Sequence, residues 1–319
     1  MYGDIASNGT SFVWTDPSYE VVGEFDVGET PITLADGATT PESVEDPGPI
    51  AIDSSGNVYW FQPSATTGYT DLGVAVLEAA DSDNTLGSQP GSASGIAVVS
   101  GAVVWTAVDV ESGTTGVGTI RCPVTECLAG AVDATSSPSI GLTVAPDFSN
   151  KGIVWSNISS GVIMDSKSTF TAAVTSGYTA YFVASNSATS SYVYWTEQNG
   201  NDDTYNIVFA ENGGPNSPPT ALVDDVYNPV GELPTGLATD GTFVYFAIGS
   251  SIYTAYVNAP SPQTPELFAT CPSGEGIEHL KYVPNAEWTV AGGITTGPVG
   301  ALIFDDTVSI YEVVTPLAP

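Results

Sequence analysis

The sequence predicts an all-β fold in which short antiparallel strands recur as one repeated unit. Gly 34 and Pro 23 are spread along the 319 residues. Both residues disfavour helix interiors, by about 1 and about 3 kcal/mol respectively, and both are typical of turns. Apolar residues make up 42% of the chain, which is enough for a well-buried core. The third observation is a bulky aromatic residue that ends the same short apolar run at regular intervals.

These recurring aromatic residues divide the whole chain into units of similar length. Successive members are 46, 45, 50, 40, 51 and 42 positions apart. A period of this size is the signature of a repeat architecture. Seven such units occupy residues 1–319, so we expect a single domain with seven units, with six as the alternative. The anchors are Trp14, Trp60, Trp105, Trp155, Trp195, Phe246 and Trp288.

Each unit opens with a predicted β-hairpin. An apolar residue lies nine or ten positions before the anchor, and a turn rich in Gly, Asn, Asp or Ser separates the two. The clearest pairs are Ile5 with Trp14, Ile50 with Trp60, Ile96 with Trp105, and Leu237 with Phe246. The fourth unit is looser, because Leu142 precedes Trp155 by 13 positions.

Two further strands complete the unit. The third alternates in polarity, as in "GTIRC" at 118–122 and "YNIVFA" at 205–210, and a weaker fourth segment reads "TPITLADG" or "PPTALVDD". Four short antiparallel strands per unit make one blade of a β-propeller. We expect each anchor to end the second strand and to pack between neighbouring blades. The chain begins on an innermost-type strand and ends on an outermost-type one, so ring closure should need no shared strand.

The motifs resemble those of known propeller repeats. "FVWTD" at 12–16, "NVYWF", "YVYWTE" and the preceding "IAID" are similar to YWTD-type and SMP-30/NHL-like repeats, and "GTIRCPVTEC" resembles segments of secreted bacterial propellers. The resemblance covers most of the chain and implies a propeller fold. Only the first unit carries the full Trp-Thr-Asp, so the resemblance implies no receptor function.

The charge balance restricts the partners. Asp+Glu 36 against Lys+Arg 4 gives a formal charge of −32. Nucleic acid and anionic lipid need Lys or Arg to displace counterions, so we expect neither as a partner. Divalent cations and basic partners would be attracted. A chain with so few sites for trypsin-like proteases suits an extracellular or cell-surface location.

The cysteines also suggest an extracellular or cell-surface location. Cys122 and Cys127 flank "PVTE" and read as a disulfide across a tight hairpin, which implies an oxidising compartment; half of a metal site is the alternative. Cys271 is then left over. No run of 18 apolar residues predicts a membrane span, and "MYGDIASNG" lacks the features of a signal peptide, so an exported protein would be represented here by its mature form or a fragment.

Candidate catalytic groups are few. The only histidine, His279, lies in "GIEHLKY", which reads as the innermost strand of the last unit and could point Glu278 or His279 into the central channel. A Glu–His pair can act as acid and base, although a histidine without a placed partner is more often structural. The sequence contains no G-x-S-x-G, H-E-x-x-H, P-loop or dinucleotide-binding fingerprint. The sequence therefore identifies no catalytic or cofactor-binding residues.

Calcium is the one metal that the loops suggest. Asp81 and Asp83 lie in "EAADSDN", and Asn199, Asn201 and Asp203 lie in "EQNGNDD". Alternating carboxylates and amides supply the hard oxygens that Ca²⁺ prefers, but neither loop has EF-hand spacing. The acid pairs Asp224-Asp225 and Asp305-Asp306 are expected to cap turns or strand edges.

Three classes of function remain from the sequence. The leading prediction is a non-enzymatic extracellular interaction, scaffold or surface-assembly protein, whose rim loops contact a protein, a glycan or further copies of the chain. The second is a metal-dependent enzyme of the lactonase or lyase kind found in similar propellers. Its metal would be held by Asp, Glu and Asn from several innermost strands. The third is a carbohydrate-binding propeller with exposed aromatic side chains.

Overall fold

The structure of the chain is a computed structural model. It describes residues 3–8, 11–26, 31–36, 45–66, 69–77, 84–90, 92–99, 102–108, 119–123, 144–146, 153–157, 162–165, 170–185, 192–199, 204–211, 216–227, 234–290, 294–306 and 309–315. Within these ranges no helix has the length and apolarity needed to cross a membrane.

The described residues form seven antiparallel sheets, numbered 1 to 7 in chain order, in which consecutive strands pair with each other. Sheet 1 contains β1 Asp4–Ser7, β2 Ser11–Asp16, β3 Val21–Asp26 and β4 Ile32–Asp36. Sheet 2 contains β5 Ile50–Ile52, β6 Asn57–Pro63, β7 Tyr69–Val76 and β8 Asn84–Pro90. Sheet 3 contains β9 Ser92–Val99, β10 Ala102–Val108 and β11 Thr119–Pro123. Sheet 4 contains β12 Val144–Pro146, β13 Ile153–Asn157, β14 Val162–Asp165 and β15 Thr171–Ala173.

The remaining three sheets follow the same order. Sheet 5 contains β16 Tyr178–Ser185, β17 Tyr192–Asn199, β18 Thr204–Glu211 and β19 Thr220–Tyr227. Sheet 6 contains β20 Pro234–Thr239, β21 Phe243–Ile248, β22 Ser251–Tyr256 and β23 Glu266–Thr270. Sheet 7 contains β24 His279–Val290, β25 Ile294–Asp305 and β26 Ile310–Val314. Five sheets are therefore four-stranded over the described residues, as the repeat predicts.

The first hairpins have the expected register. The four predicted pairs are direct cross-strand partners, so these hairpins are confirmed: Ile5 with Trp14, Ile50 with Trp60, Ile96 with Trp105, and Leu237 with Phe246. The fourth unit needs a correction, because Val144 and not Leu142 lies opposite Trp155. The first strand of this sheet, β12, begins at Val144, two residues after Leu142.

The sheets are arranged as a ring. The first strand of each sheet contacts the first strand of the next, in the order β1, β5, β9, β12, β16, β20 and β24, and β24 returns to contact β1. Over the described residues, sheets 1 and 7 share no strand, as expected. The ring is therefore closed by side chains that pack between the first and the last sheet.

Apolar clusters fill the spaces between neighbouring sheets. Each of the seven clusters combines residues from two sheets that are consecutive in the ring, including one that joins sheet 7 to sheet 1 through Ile303, Ile5 and Phe12. The anchors of sheets 2 to 6 are buried and each packs on the preceding sheet; they are Trp60, Trp105, Trp155, Trp195 and Phe246. Trp14 is partly buried and packs on sheet 7.

The last anchor differs from the expectation. Trp288 lies on β24, the first strand of sheet 7, and not on a second strand. The other six anchors do lie on second strands, but two to four residues before the strand ends and not at its end as expected. The strand β24 runs for 12 residues, through Pro284 and Asn285, so Trp288 lies on the same strand that His279 opens. The large apolar residues of the second strand that pack on sheet 6 are Leu302 and Phe304.

Candidate functional site

Four of the described titratable groups lie close together where the inner strands of sheets 1 and 7 begin. Glu278 immediately precedes β24 and His279 opens it. Asp305 ends β25 and pairs with His279 across the two strands. Asp4 opens β1, the inner strand of the adjacent sheet. Ring closure therefore brings together residues from the two ends of the chain.

Asp305 holds His279 at two points. The backbone N–H of His279 donates to Asp305 Oδ1 at 2.8 Å, and His279 Nδ1 lies 3.1 Å from both carboxylate oxygens. The Asp305 side chain is 0% exposed, whereas that of His279 is 26% exposed. A carboxylate on Nδ1 fixes the ring orientation and the tautomer, so that Nε2 is the nitrogen available to a ligand or a proton.

The environment shifts the pKa values of all three groups in one direction. Burial lowers the pKa of His279, but the hydrogen bond to Asp305 and the negative charges of Asp4 and Asp305 outweigh it, so the pKa lies above its ordinary value. Burial raises the pKa of Asp305, although His279 opposes this. Burial and then the charge of Asp305 raise the pKa of Glu278. The cluster therefore retains protons to higher pH than isolated side chains would.

Asp4 connects the cluster to neighbouring inner strands. Its Oδ1 lies 3.4 Å from Lys281 Nζ on β24, and its Oδ2 accepts the backbone N–H of Ile50 on β5 at 3.2 Å. The chain has four Lys or Arg residues and one histidine, and two of these five groups, Lys281 and His279, lie on one strand at this position. The site thus combines Lys281 and His279 with one buried carboxylate, that of Asp305, and two partly buried ones, those of Asp4 and Glu278.

The donor set suits a divalent cation. One ligand atom each from Glu278, His279 and Asp305 lies within 4.8 Å of the others. Two carboxylates and one imidazole are ligands that Zn²⁺ and Mn²⁺ accept. The strongly negative chain would also concentrate cations near this position. The residues present therefore fit a metal ion, and the side chains of His279 and Glu278 are partly exposed.

The calcium-loop residues fall mostly outside the described part of the chain. Asp81, Asp83, Asn201 and Asp203 all do. Asn199 ends β17, and its side-chain amide donates to the Tyr178 hydroxyl at 3.5 Å. The calcium sites stay predictions.

The cysteines are described in part. Cys122 lies on β11, Cys127 lies outside the described residues, and the described residues contain no disulfide. Cys271 is a buried free thiol, with its Sγ 3.2 Å from Ser273 Oγ and 3.7 Å from Asp306 Oδ2. The pairing of Cys122 with Cys127 also stays a prediction.

Sequence reasoning placed His279 and Glu278 on the innermost strand but missed their partners. Asp305 was expected to cap a turn or an edge, whereas it orients the histidine; only its neighbour Asp306 caps a turn. Asp4 and Lys281 were not singled out. The usable signal was the scarcity of cationic residues, since two of five lie in the heptapeptide "GIEHLKY".

Comparison with known proteins identifies the fold. No family model matches the sequence, and no curated protein matches it either. Among solved structures, the chain is similar to a complex of quinupristin with a catalytically inactive His-to-Ala variant of virginiamycin B lyase from Staphylococcus aureus. The TM-score is 0.64 at 12% identity, covering 99% of this chain and 96% of the lyase chain.

Two further structures support the same architecture. The propeller domain of the Trilobed protease from Pyrococcus furiosus, described as having an open velcro topology, gives a TM-score of 0.58 at 9% identity, covering 98% of this chain and 92% of that one. The extracellular domain of a one-component system from B. thetaiotaomicron gives 0.60 at 9% identity, covering 98% and 38%. The protein is therefore an all-β protein with a β-propeller fold.

Proposed function

We propose that this protein is a cation-assisted propeller enzyme of the lyase kind, with its active site at the Glu278–His279–Asp305 cluster. The observation that carries the proposal is the hydrogen-bonded pair of His279 and the buried Asp305, with Glu278 beside it. An imidazole that is oriented by a buried carboxylate and exposed on its other side is suited to proton transfer.

Each side chain of the site has a separate role in the proposed reaction. Asp305 fixes the ring of His279, so that Nε2 accepts a proton from a substrate carbon or returns one to a leaving group. The raised pKa of His279 makes the proton-donating form more populated than in a free imidazole at the same pH. Glu278 and Asp305 would hold the cation, with Asp4 adding negative charge nearby, and Nε2 of His279 would stay free for proton transfer. A bound divalent cation would supply Lewis-acid stabilisation of negative charge on the substrate.

The structural neighbours support the reaction class only through the fold. Virginiamycin B lyase is an enzyme, and its histidine variant is described as catalytically inactive. At 12% identity this similarity shows a common fold, so the proton-transfer role of His279 depends on the local geometry of this chain.

The finer architecture is part of the proposal. We take each of the seven sheets as one blade, and residues 1–319 as one propeller domain whose repeats are of the YWTD/SMP-30/NHL-like kind. An extracellular location is supported by the scarcity of Lys and Arg and by the extracellular domain among the neighbours.

A second candidate is the non-enzymatic interaction or assembly protein. It is favoured by the position of the cluster, because the Lys281–Asp4 ion pair joins the first and last sheets and so has a structural use. In that case the rim loops would bind a protein or a glycan, or would join copies of the chain.

The test uses the single histidine as a probe. Mn²⁺ should broaden the imidazole NMR signals of His279 at stoichiometric concentration. Glu278→Gln should weaken this binding, whereas Glu266→Gln, an exposed glutamate on β23, should not. If Mn²⁺ leaves the histidine signals of the wild-type protein unchanged, the cation-assisted proposal is wrong. Turnover of quinupristin and of simple lactones, with and without a chelator and with His279→Gln as control, then tests the reaction class.

A further inference from the structure

Two adjacent buried aspartates lie where β25 ends and face opposite ways: Asp305 is the last residue of the strand, and Asp306 follows it. Asp305 contacts His279, on the side of sheet 7 that faces sheet 1. Asp306 is also 0% exposed, and its Oδ2 lies 3.7 Å from the thiol of Cys271, on the side that faces sheet 6. Neighbouring residues of a strand point to opposite faces, so Asp306 holds the backbone from behind the site.

Asp306 closes the turn between β25 and β26. Its Oδ1 accepts the backbone N–H of Ser309 at 2.6 Å, and its own N–H donates to the Ser309 carbonyl at 3.0 Å. Its Oδ2 accepts the hydroxyl proton of Tyr311 at 3.0 Å. We call the paired side chains of Asp306 and Tyr311 the Asp306–Tyr311 clamp.

The same arrangement occurs in two other sheets. In sheet 2, Asp53 accepts the N–H of Asn57 at 2.9 Å and the hydroxyl of Tyr59 at 3.3 Å. In sheet 6, Asp240 accepts the N–H of Phe243 at 2.6 Å and the hydroxyl of Tyr245 at 3.0 Å.

The clamp of sheet 7 occupies a different hairpin from the other two. In sheets 2 and 6 the clamp closes the first hairpin of the sheet, at the end remote from the start of the inner strand. In sheet 7 it closes the second hairpin, directly after a residue of the site. Of the three clamps in the described residues, this one alone adjoins the Glu278–His279–Asp305 cluster.

We propose that the Asp306–Tyr311 clamp is a positioning device that holds the Asp305 carboxylate against His279. Asp305 needs both oxygens near 3.1 Å from Nδ1 while its backbone carbonyl accepts the N–H of Glu278 at 3.0 Å. A displacement of the strand end by a fraction of an ångström would loosen these contacts. The function of active-site groups depends on positioning of this precision. The catalytic consequence rests on the proposed function, whereas the positioning itself does not.

The test is Tyr311→Phe, with Tyr59→Phe and Tyr245→Phe as matched controls. Each substitution removes one hydroxyl that donates to an aspartate and leaves the ring in place. The ¹⁵N signals of the imidazole are unambiguous because His279 is the only histidine. At one fixed pH, Tyr311→Phe should shift these signals and weaken the hydrogen-bonded Nδ1–H proton, in the direction produced by Asp305→Asn. The two controls should leave them unchanged.

A merely structural role would give a different result. If Tyr311→Phe lowers stability as much as the controls but leaves the His279 signals unchanged, the clamp is only a turn cap and the inference is wrong. Asp306→Asn, which keeps the size of the side chain, provides a second variant for the same comparison.

Cation binding separates this inference from the proposed function. If the wild type binds Mn²⁺, Tyr311→Phe should lower the Mn²⁺ affinity about 10- to 100-fold, as is usual when a group that orients a metal ligand is lost. If the wild type does not bind Mn²⁺, the proposed function fails, and the imidazole signals still decide whether the clamp positions Asp305.

Discussion

At the scale of single residues, the indole N–H of a buried anchor depends on the residue two positions later. Trp60 Nε1 donates to Gln62 Oε1 at 3.0 Å, and Trp195 Nε1 donates to Glu197 Oε1 at 2.7 Å. Trp155 Nε1 has no hydrogen-bond partner among the described residues. Because a buried unpaired donor costs about 1–3 kcal/mol, a Gln or Glu at this position is a stabilising choice.

Glu197 provides the first prediction. Its Oε1 also accepts the N–H of Thr175 at 3.0 Å, whereas the buried Oε2 has no partner among the described residues. Glu197→Gln should therefore be at least as stable as the wild type, since an amide serves Trp60 in the same way. Glu197→Ala should lose about 1–3 kcal/mol of unfolding free energy by leaving two donors unpaired. Urea denaturation measures both, and equal losses would contradict the argument.

At the scale of the element, the sheets make room for the anchors on the third strand. Gly23 lies directly opposite Trp14, and Gly73 lies directly opposite Trp60. A Cβ atom on either glycine would lie 2.3 Å from the indole ring. The absence of a side chain is therefore what allows these two indoles to lie across the neighbouring strand.

Gly73→Ala provides the second prediction. The added methyl group would force Trp60 from its position between sheets 1 and 2, so we expect a loss of about 1–3 kcal/mol of unfolding free energy and a change in tryptophan fluorescence. Gly276→Ala is the control, because a Cβ atom there would meet nothing within 4 Å. If both substitutions lower the unfolding free energy by the same small amount, the close contact with Trp60 does not restrict the residue at position 73.

At the scale of the whole molecule, the junction of sheets 7 and 1 contains a carboxyl group in apolar surroundings. Glu312 lies opposite Ile303, whose side chain packs on Ile5 and Phe12 of sheet 1. Glu312 Oε1 is buried and has no partner among the described residues. Burial raises the pKa of Glu312 to about 8. The junction between sheets 7 and 1 therefore contains a carboxyl group that is protonated at neutral pH.

Glu312 makes the stability of the ring dependent on pH. The pKa of Glu312 is about 8 in the folded protein, against an ordinary value of 4.5, so between these pH values the folded protein holds one more proton than the unfolded chain. The contribution of this group is fully favourable below about pH 4.5 and is lost as the pH rises towards about 8. Deprotonation would place an unpaired charge against the closing contact of the ring.

Glu312→Gln provides the third prediction. The variant should have the same melting temperature as the wild type near pH 5 and a higher one near pH 9, because the amide cannot ionise. Glu266→Gln changes the net charge equally at an exposed position and corrects for general repulsion in this acidic chain. A stabilisation that is independent of pH, or one that the control shares, would contradict the role of Glu312.

The sequence by itself determined the repeat, the first hairpins and the strands that follow them, because aromatic period, turn residues and alternation are local properties that cross-strand pairing must obey. It also placed His279 on the innermost strand. Only the tertiary structure decided that Asp4 and Lys281 meet across the ring, that Asp305 orients His279, and that Trp288 lies on a first strand. The Asp4–Lys281 contact joins residues from opposite ends of the chain, and the Asp305–His279 contact joins two strands of the last sheet. No local pattern records which distant side chains the fold brings together.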